Sequence, residues 1–150
     1  MAIDRMDWHY GAEDFPADVP QENAGVHIGF FLAWAFERGL AGEIHTEEDQ
    51  DALAQLTRRE ISGVEFLIQY CDEKLWGEDF NEEGEAFATD YYEQDDSAFA
   101  QQYAGYLDDF NRVFGEFGDY RVDNSWAHYD RLKPVLDERF AQWQQWKAET

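Results

Sequence analysis

The sequence predicts an all-α fold, a single compact domain of five or six helices around a central apolar helix, with an irregular N-terminal arm. Residues 24–36 read AGVHIGFFLAWAF, an almost unbroken apolar run. Later segments repeat large apolar residues at intervals of three and four, and none alternates convincingly with period two. Aromatic residues make up 17% of the chain, enough to fill a helical core. A length of 150 residues fits one domain, which we divide into a packed arm (1–20) and a helical body (21–150).

Helix-breaking residues predict the arm, and a run of apolar residues predicts the first helix. The first twenty residues contain Gly, two Pro and several Asp without a helical period, so we expect an irregular arm packed on the domain. The first helix is predicted after Pro20, over about residues 22–38. Apolar residues surround it on all sides, which indicates a buried central element. Gly25 and Gly29 predict a flat strip where another segment approaches closely.

The remaining helices are predicted from N-cap residues, whose side chains accept hydrogen bonds from the first turn. The caps and their helices are Thr46 with 47–58, Ser62 with a helix to about Lys74, Asn81 with 82–93, and Ser97 with a helix that ends at Gly115. The last helix begins near Trp126, and Pro134 should kink or restart it because proline lacks the backbone N–H donor.

Charge and cysteine content exclude several classes of function. The formal net charge of -23 repels nucleic acids and anionic membranes, although high negative charge also serves solubility alone. The longest apolar run is shorter than the ~20 residues that cross a bilayer, and MAIDRMDWHY lacks the features of a secretory signal. With Cys71 as the one cysteine, no internal disulfide or cysteine zinc cage forms. We therefore expect a cytoplasmic protein with no nucleic-acid or membrane partner.

Catalytic and cofactor motifs are missing from the sequence. It contains no Gly-rich phosphate loop, no G-x-S-x-G elbow and no H-E-x-x-H pair, and its four histidines are scattered. We predict no catalytic residue, no metal site and no cofactor, which favours a non-enzymatic role. Two interpretations of His27 remain open. It is either a base with His9, or an acid such as Glu22 or Asp14, beside it, or a buried histidine that only satisfies its hydrogen bonds.

The acidic stretch from Asp72 to Asp96 holds eleven acids and one base. Such a ridge of carboxylates can match a basic cleft of a partner protein and steer the two together. The predicted partner-binding residues are Glu78, Asp79, Glu82, Glu83, Asp90, Glu93, Asp95, Asp96, Asp108 and Asp109.

Four segments carry a resemblance to a known kind of protein. WHYGAEDFP, HIGFFLAWAFERGL, NEEGEAFATDYYE and W-x-x-Y-x-x-L-K-P-x-L-D-x-R-F resemble a family of small acidic bacterial proteins of unknown function. By analogy, small acidic bacterial domains of this kind include immunity proteins, which bind and silence a toxin domain.

The resemblance concentrates partly in the arm and the first helix, which implies a cleft between them. That cleft would be lined by Trp8, His9, Tyr10, Asp14, His27 and Trp34.

Three functions remain open from the sequence. The first is a cytoplasmic immunity protein that occludes a basic toxin domain with its acidic face. The second is a small-molecule-binding or enzymatic domain centred on His9, Asp14 and His27. The third is a structural or regulatory protein whose charge serves solubility. The sequence does not give the oligomeric state.

Overall fold

The computed structural model describes residues 2–94, 96–118 and 120–149. Over these residues the chain forms nine α-helices and a two-stranded sheet, so it is broadly all-α with more helices than predicted. In chain order the elements are β1 (Ala2–Arg5), α1 (Met6–Tyr10), α2 (Val26–Glu37), α3 (Glu43–Glu48), α4 (Gln50–Thr57), α5 (Gly63–Tyr70), β2 (Lys74–Trp76), α6 (Glu82–Ala88), α7 (Ala98–Gln102), α8 (Tyr106–Phe114) and α9 (Trp126–Glu149). Short 3-10 helices span Gln21–Gly25, Gly77–Asp79 and Gly115–Phe117, and a π-helical turn spans Thr89–Glu93.

Two predicted helices are broken and the arm contains a further helix, α1, which together account for the higher count. The segment 47–58 begins earlier, at Glu43, and Asp49 interrupts it by leaving the helical conformation (φ −122°, ψ 32°). The predicted cap Thr46 therefore lies inside α3 and is wrong. The segment after Ser97 is divided into α7 and α8, because Gly105 takes an extended conformation before α8.

Three of the four predicted N-caps are confirmed. The side chains of Ser62, Asn81 and Ser97 each accept a hydrogen bond from the backbone of the first helical turn. Ser62 and Glu65 also form a reciprocal capping box. The helix after Ser62 ends at Tyr70, before the predicted Lys74, because Lys74 belongs to β2.

The N-terminal arm is more regular than predicted. Its first residues form β1, which pairs antiparallel with β2 and places Asp4 opposite Leu75 and Arg5 opposite Lys74. Strands of four and three residues are too short for period-two alternation to appear in the sequence. This pairing holds Asp4 in the interior, where the residue is 4% exposed.

The central helix α2 forms the core as predicted. Every residue from Val26 to Phe36 is buried. The flat strip is confirmed, since Gly25 faces the side chain of Met6 in α1 and Gly29 lies against the backbone at Gly63 in α5. A helix that is apolar on all sides thus receives neighbours on all sides.

The closing helix α9 continues through Pro134 without restarting. It packs on α2 through aromatic and aliphatic side chains, and Trp34 in α2 donates its indole N–H to Asp137, 2.9 Å away. Within the described parts of the chain, none of the helices combines the length and apolar character of a membrane span.

We expect Gly63→Ala to destabilise the fold by about 1–3 kcal/mol, because its Cβ would overlap the carbonyl group of Gly29. The matched control is Gly115→Ala, whose Cβ would meet no atom within 4 Å, and it should stay within about 0.5 kcal/mol of the parent. Urea unfolding monitored by tryptophan fluorescence measures both. Equal stability of the two variants would contradict the close approach of α5 to α2.

Candidate functional site

One carboxylate and two histidines converge between the N-terminal segment and α2. Asp4 lies in β1, His9 in α1 and His27 in the first turn of α2. The Asp4 Oδ1 atom is 2.7 Å from His9 Nε2, and its Oδ2 atom is 3.0 Å from His27 Nε2. The two Nε2 atoms are 3.2 Å apart. We refer to Asp4, His9 and His27 as the Asp–His–His centre.

Neighbouring groups hold the centre in place. The hydroxyl of Tyr92 donates a hydrogen bond to Asp4 Oδ2, and the backbone N–H of Arg5 donates to Oδ1 at 2.8 Å. The other ring nitrogen of His9, Nδ1, lies 2.8 Å from the hydroxyl of Tyr120. The orientations of the carboxylate and of the His9 ring are therefore both fixed by second contacts.

The surroundings set the charge of the buried groups. Burial alone raises the pKa of Asp4, but the hydrogen bonds to His27 and His9 outweigh it and hold the pKa well below its usual range. Burial lowers the pKa of His27 more than Asp4 raises it, so this ring favours the neutral form. Burial and the Asp4 charge raise the pKa of Tyr92, which stays a donor.

A cavity of about 340 Å³ opens beside the centre. One end is polar and the walls are largely aromatic or aliphatic. The polar end is formed by His9, His27 and Tyr120, the apolar wall by Val26, Leu107, Phe110, Phe114 and Val122, and further polar lining by Asp14, Asn23 and Asn111. The remaining lining comes from Gly115 and Gly118.

The structure brings together half of the predicted cleft residues. His9, Asp14 and His27 line the cavity, whereas Trp8, Tyr10 and Trp34 are not among its lining residues. Trp8 is 50% exposed, and Trp34 is fully buried in the core.

Sequence reasoning missed three residues of the site, Asp4, Tyr92 and Tyr120. Asp4 stands in the short stretch AIDR, where a single acid gives no signal of burial. Tyr92 and Tyr120 lie far from the histidines along the chain, so only the fold brings them together.

The predicted acidic face is partly buried. Glu78, Glu82, Glu83, Glu93, Asp96 and Asp108 are exposed, Asp90 is half-buried, and Asp95 lies outside the described residues. Asp79 and Asp109 are buried at 7% and 1% exposure, so their assignment to an exposed face is wrong. Asp109 accepts hydrogen bonds from Tyr91 and Arg139.

Asp79 belongs to a second buried group, with His45 and Cys71. His45 Nε2 lies 2.7 Å from Asp79 Oδ1, and His45 Nδ1 lies 2.8 Å from Asp49 Oδ2. Burial lowers the pKa of His45, but the hydrogen bonds to the two aspartates raise it more, so the net shift is upward. Burial raises the pKa of the Cys71 thiol, which stays protonated. With both ring nitrogens on carboxylates, His45 links α3 to the residue before α4 and to the turn after β2.

Both groups place possible metal-ligating atoms within 4.8 Å of one another. They differ in access, because His9 and His27 line the cavity and no residue of the second group does. The Asp–His–His centre can therefore present hydrogen-bonding groups, or lone pairs for a cation, to a molecule in the cavity. All three residues of the second group are buried.

The chain belongs to the family described as Domain of unknown function (DUF7832), whose model matches residues 2–122. The match covers β1, the centre, the cavity and the acidic stretch, and ends before α9. No curated protein and no solved structure matches the chain.

The raised pKa of His45 predicts a pH-dependent loss of stability. A folded-state pKa above the unfolded value of about 6.5 gives a stabilisation that is complete below about pH 6.5 and is lost as pH rises through the folded-state pKa. The groups that face His45 are Asp49, Asp79 and Cys71. We expect the difference in unfolding free energy between the parent and His45→Gln to shrink as the pH rises above about 6.5, the unfolded-state pKa.

Urea unfolding at each pH measures this difference. His128→Gln is the control, since it removes an imidazole outside the group. A parent-to-variant difference that stays constant or grows with pH would exclude a histidinium between the two aspartates.

Proposed function

We propose that this member of a family of unknown function is a small-molecule-binding domain, whose ligand enters the cavity and meets the Asp–His–His centre. The observation that carries the proposal is that two histidines backed by a buried carboxylate form the polar end of a cavity with apolar walls. Ligand pockets are mostly apolar with a few convergent polar groups, and buried titratable groups in clefts mark functional sites.

The size and lining of the cavity limit the ligand. Its volume of about 340 Å³ lies at the low end of ligand pockets, which range over roughly 300–1,000 Å³. Phe110 and Phe114, whose ring centroids are 4.8 Å apart, provide an aromatic wall. The ligand class that fits has an apolar or aromatic part against this wall and a polar end that reaches His9 and His27.

The charge of the chain adds a further preference. A net charge of -23 raises the local concentration of cations and lowers that of free anions. Asp14 adds a carboxylate to the cavity lining. Neutral or cationic ligands are favoured over free polyanions such as nucleotides.

Ligand-observed NMR screening of a fragment library tests the proposal. Asn111→Phe should fill part of the cavity from the exposed face of α8 and weaken binding by about tenfold or more, roughly 1.4 kcal/mol. Asp108→Phe, on the exposed surface of the same helix but outside the cavity lining, is the matched control and should bind as the parent does. Absence of any fragment that distinguishes the two variants would exclude a ligand cavity at this place.

We propose, as a second candidate, an acidic-face binding protein, in its most concrete form an immunity protein that occludes a basic toxin domain. The observation that favours it is a surface depression of about 450 Å³ beside α6, lined by Glu82, Glu85 and Asp90. Lys147 of α9 lies there, with its Nζ atom 3.6 Å from Asp90. A carboxylate that pairs with this lysine, with two glutamates beside it, suits a basic side chain of a partner.

Charge removal tests this second candidate. In a pull-down, a basic partner should be retained at about 0.1 M salt and released at about 1 M, where the Debye length falls from roughly 10 Å to roughly 3 Å. Glu82→Gln with Glu83→Gln should weaken retention, whereas the charge-matched control, Glu43→Gln with Glu47→Gln in α3, should not. Equal retention by both double variants would contradict binding through the face near α6.

A further inference from the structure

The ligand atoms of the Asp–His–His centre, which are the two carboxylate oxygens of Asp4 and the Nε2 atoms of His9 and His27, lie at distances typical of a metal coordination shell. Metal–ligand bonds of His and Asp are roughly 2.0–2.2 Å, so neighbouring ligands in tetrahedral or octahedral shells are roughly 2.8–3.6 Å apart. The separations in the centre are 2.7, 3.0 and 3.2 Å. Outward shifts of a few tenths of an ångström would admit an ion.

The facing ring nitrogens are also arranged as metal ligands. A neutral imidazole carries one ring hydrogen, and its other nitrogen offers a lone pair. Here the same atom, Nε2, of both His9 and His27 faces the other ring and the Asp4 carboxylate. Two N–H groups in these positions would face each other at 3.2 Å, whereas a cation between them would use both lone pairs and the carboxylate charge.

Supporting contacts of the kind found around metal sites are present. A histidine that binds a metal through one nitrogen is usually held through the other, and ligating carboxylates are themselves hydrogen-bonded. His9 Nδ1 lies 2.8 Å from the Tyr120 hydroxyl, and Asp4 accepts hydrogen bonds from Tyr92 and from the backbone of Arg5.

We propose that Asp4, His9 and His27 bind one divalent transition-metal ion, for which Zn²⁺ is the natural probe, with the remaining coordination positions directed to the cavity. Two imidazoles and one carboxylate are a ligand set for Zn²⁺ and for non-haem iron(II). The inference rests on the proposed function for its role, because the ion would be the group that a cavity ligand meets. The site itself is tested without any such ligand.

Isothermal titration of the full chain with ZnCl₂, after removal of metals with a chelator, measures the binding. We expect one tight site. Tyr120→Phe removes a supporting group and should weaken the Zn²⁺ affinity by roughly 10–100-fold. His9→Gln removes a ligand and should weaken it by more than about a hundredfold. His45→Gln is the matched control, because it removes a histidine of the other buried group and should leave the Zn²⁺ affinity unchanged.

Titration with Co²⁺ separates the two groups by spectroscopy. Binding at the Asp–His–His centre gives visible d–d bands without a thiolate-to-cobalt charge-transfer band, whereas binding at Cys71 would give both. Circular dichroism checks that His9→Gln is folded.

Each outcome supports or overturns the metal site. No tight Zn²⁺ binding by the parent, unchanged affinity in folded His9→Gln, or a thiolate band with Co²⁺ would overturn it. Failure of the fragment screen together with tight Zn²⁺ binding would reject the small-molecule proposal and leave the metal site standing. Fragment binding without Zn²⁺ binding would reject the metal site and leave the small-molecule proposal standing.

Discussion

The buried Asp4 carboxylate is the interaction on which the N-terminal part of the structure depends. Charge in the interior is tolerated only where it is paired and hydrogen-bonded, and Asp4 has His9, His27, Tyr92 and a backbone N–H around it. These partners come from α1, from α2 and from the π-helical turn after α6. This buried group thereby links β1 to α1, to the central helix and to the turn after α6.

The parts of the fold that follow from local rules were predictable from the sequence. A helix that is apolar on all sides must be buried, and α2 is buried. Ser62, Asn81 and Ser97 cap helices because their short polar side chains accept hydrogen bonds from backbone N–H groups of the first turn. Breaks within apolar segments were not predictable. Asp49 ends α3 while its carboxylate bonds His45, whose other ring nitrogen faces Asp79, a residue 34 positions along the chain from His45.

Only part of the candidate site was predictable from the sequence. His9, Asp14 and His27 were identified because histidine and aspartate are residue types that act in binding and catalysis. All three line the cavity. Asp4 was missed because its burial depends on the pairing of two very short strands. Asp79 and Asp109 were assigned to the surface for a different reason: nothing in the sequence distinguishes a carboxylate that is paired inside the fold from one that is solvated.

The two buried histidine groups show why access, more than composition, separates a candidate site from a structural link. Each contains histidine and aspartate at hydrogen-bonding distance. His45 has both ring nitrogens on carboxylates and is not among the lining residues of the cavity described above, and its contacts link α3 to the residue before α4 and to the turn after β2. The Asp–His–His centre instead has one face turned to a cavity with an aromatic wall. A buried polar group that only stabilised the fold would not require such an opening, and the opening is therefore the feature that supports our proposal of a ligand at the centre.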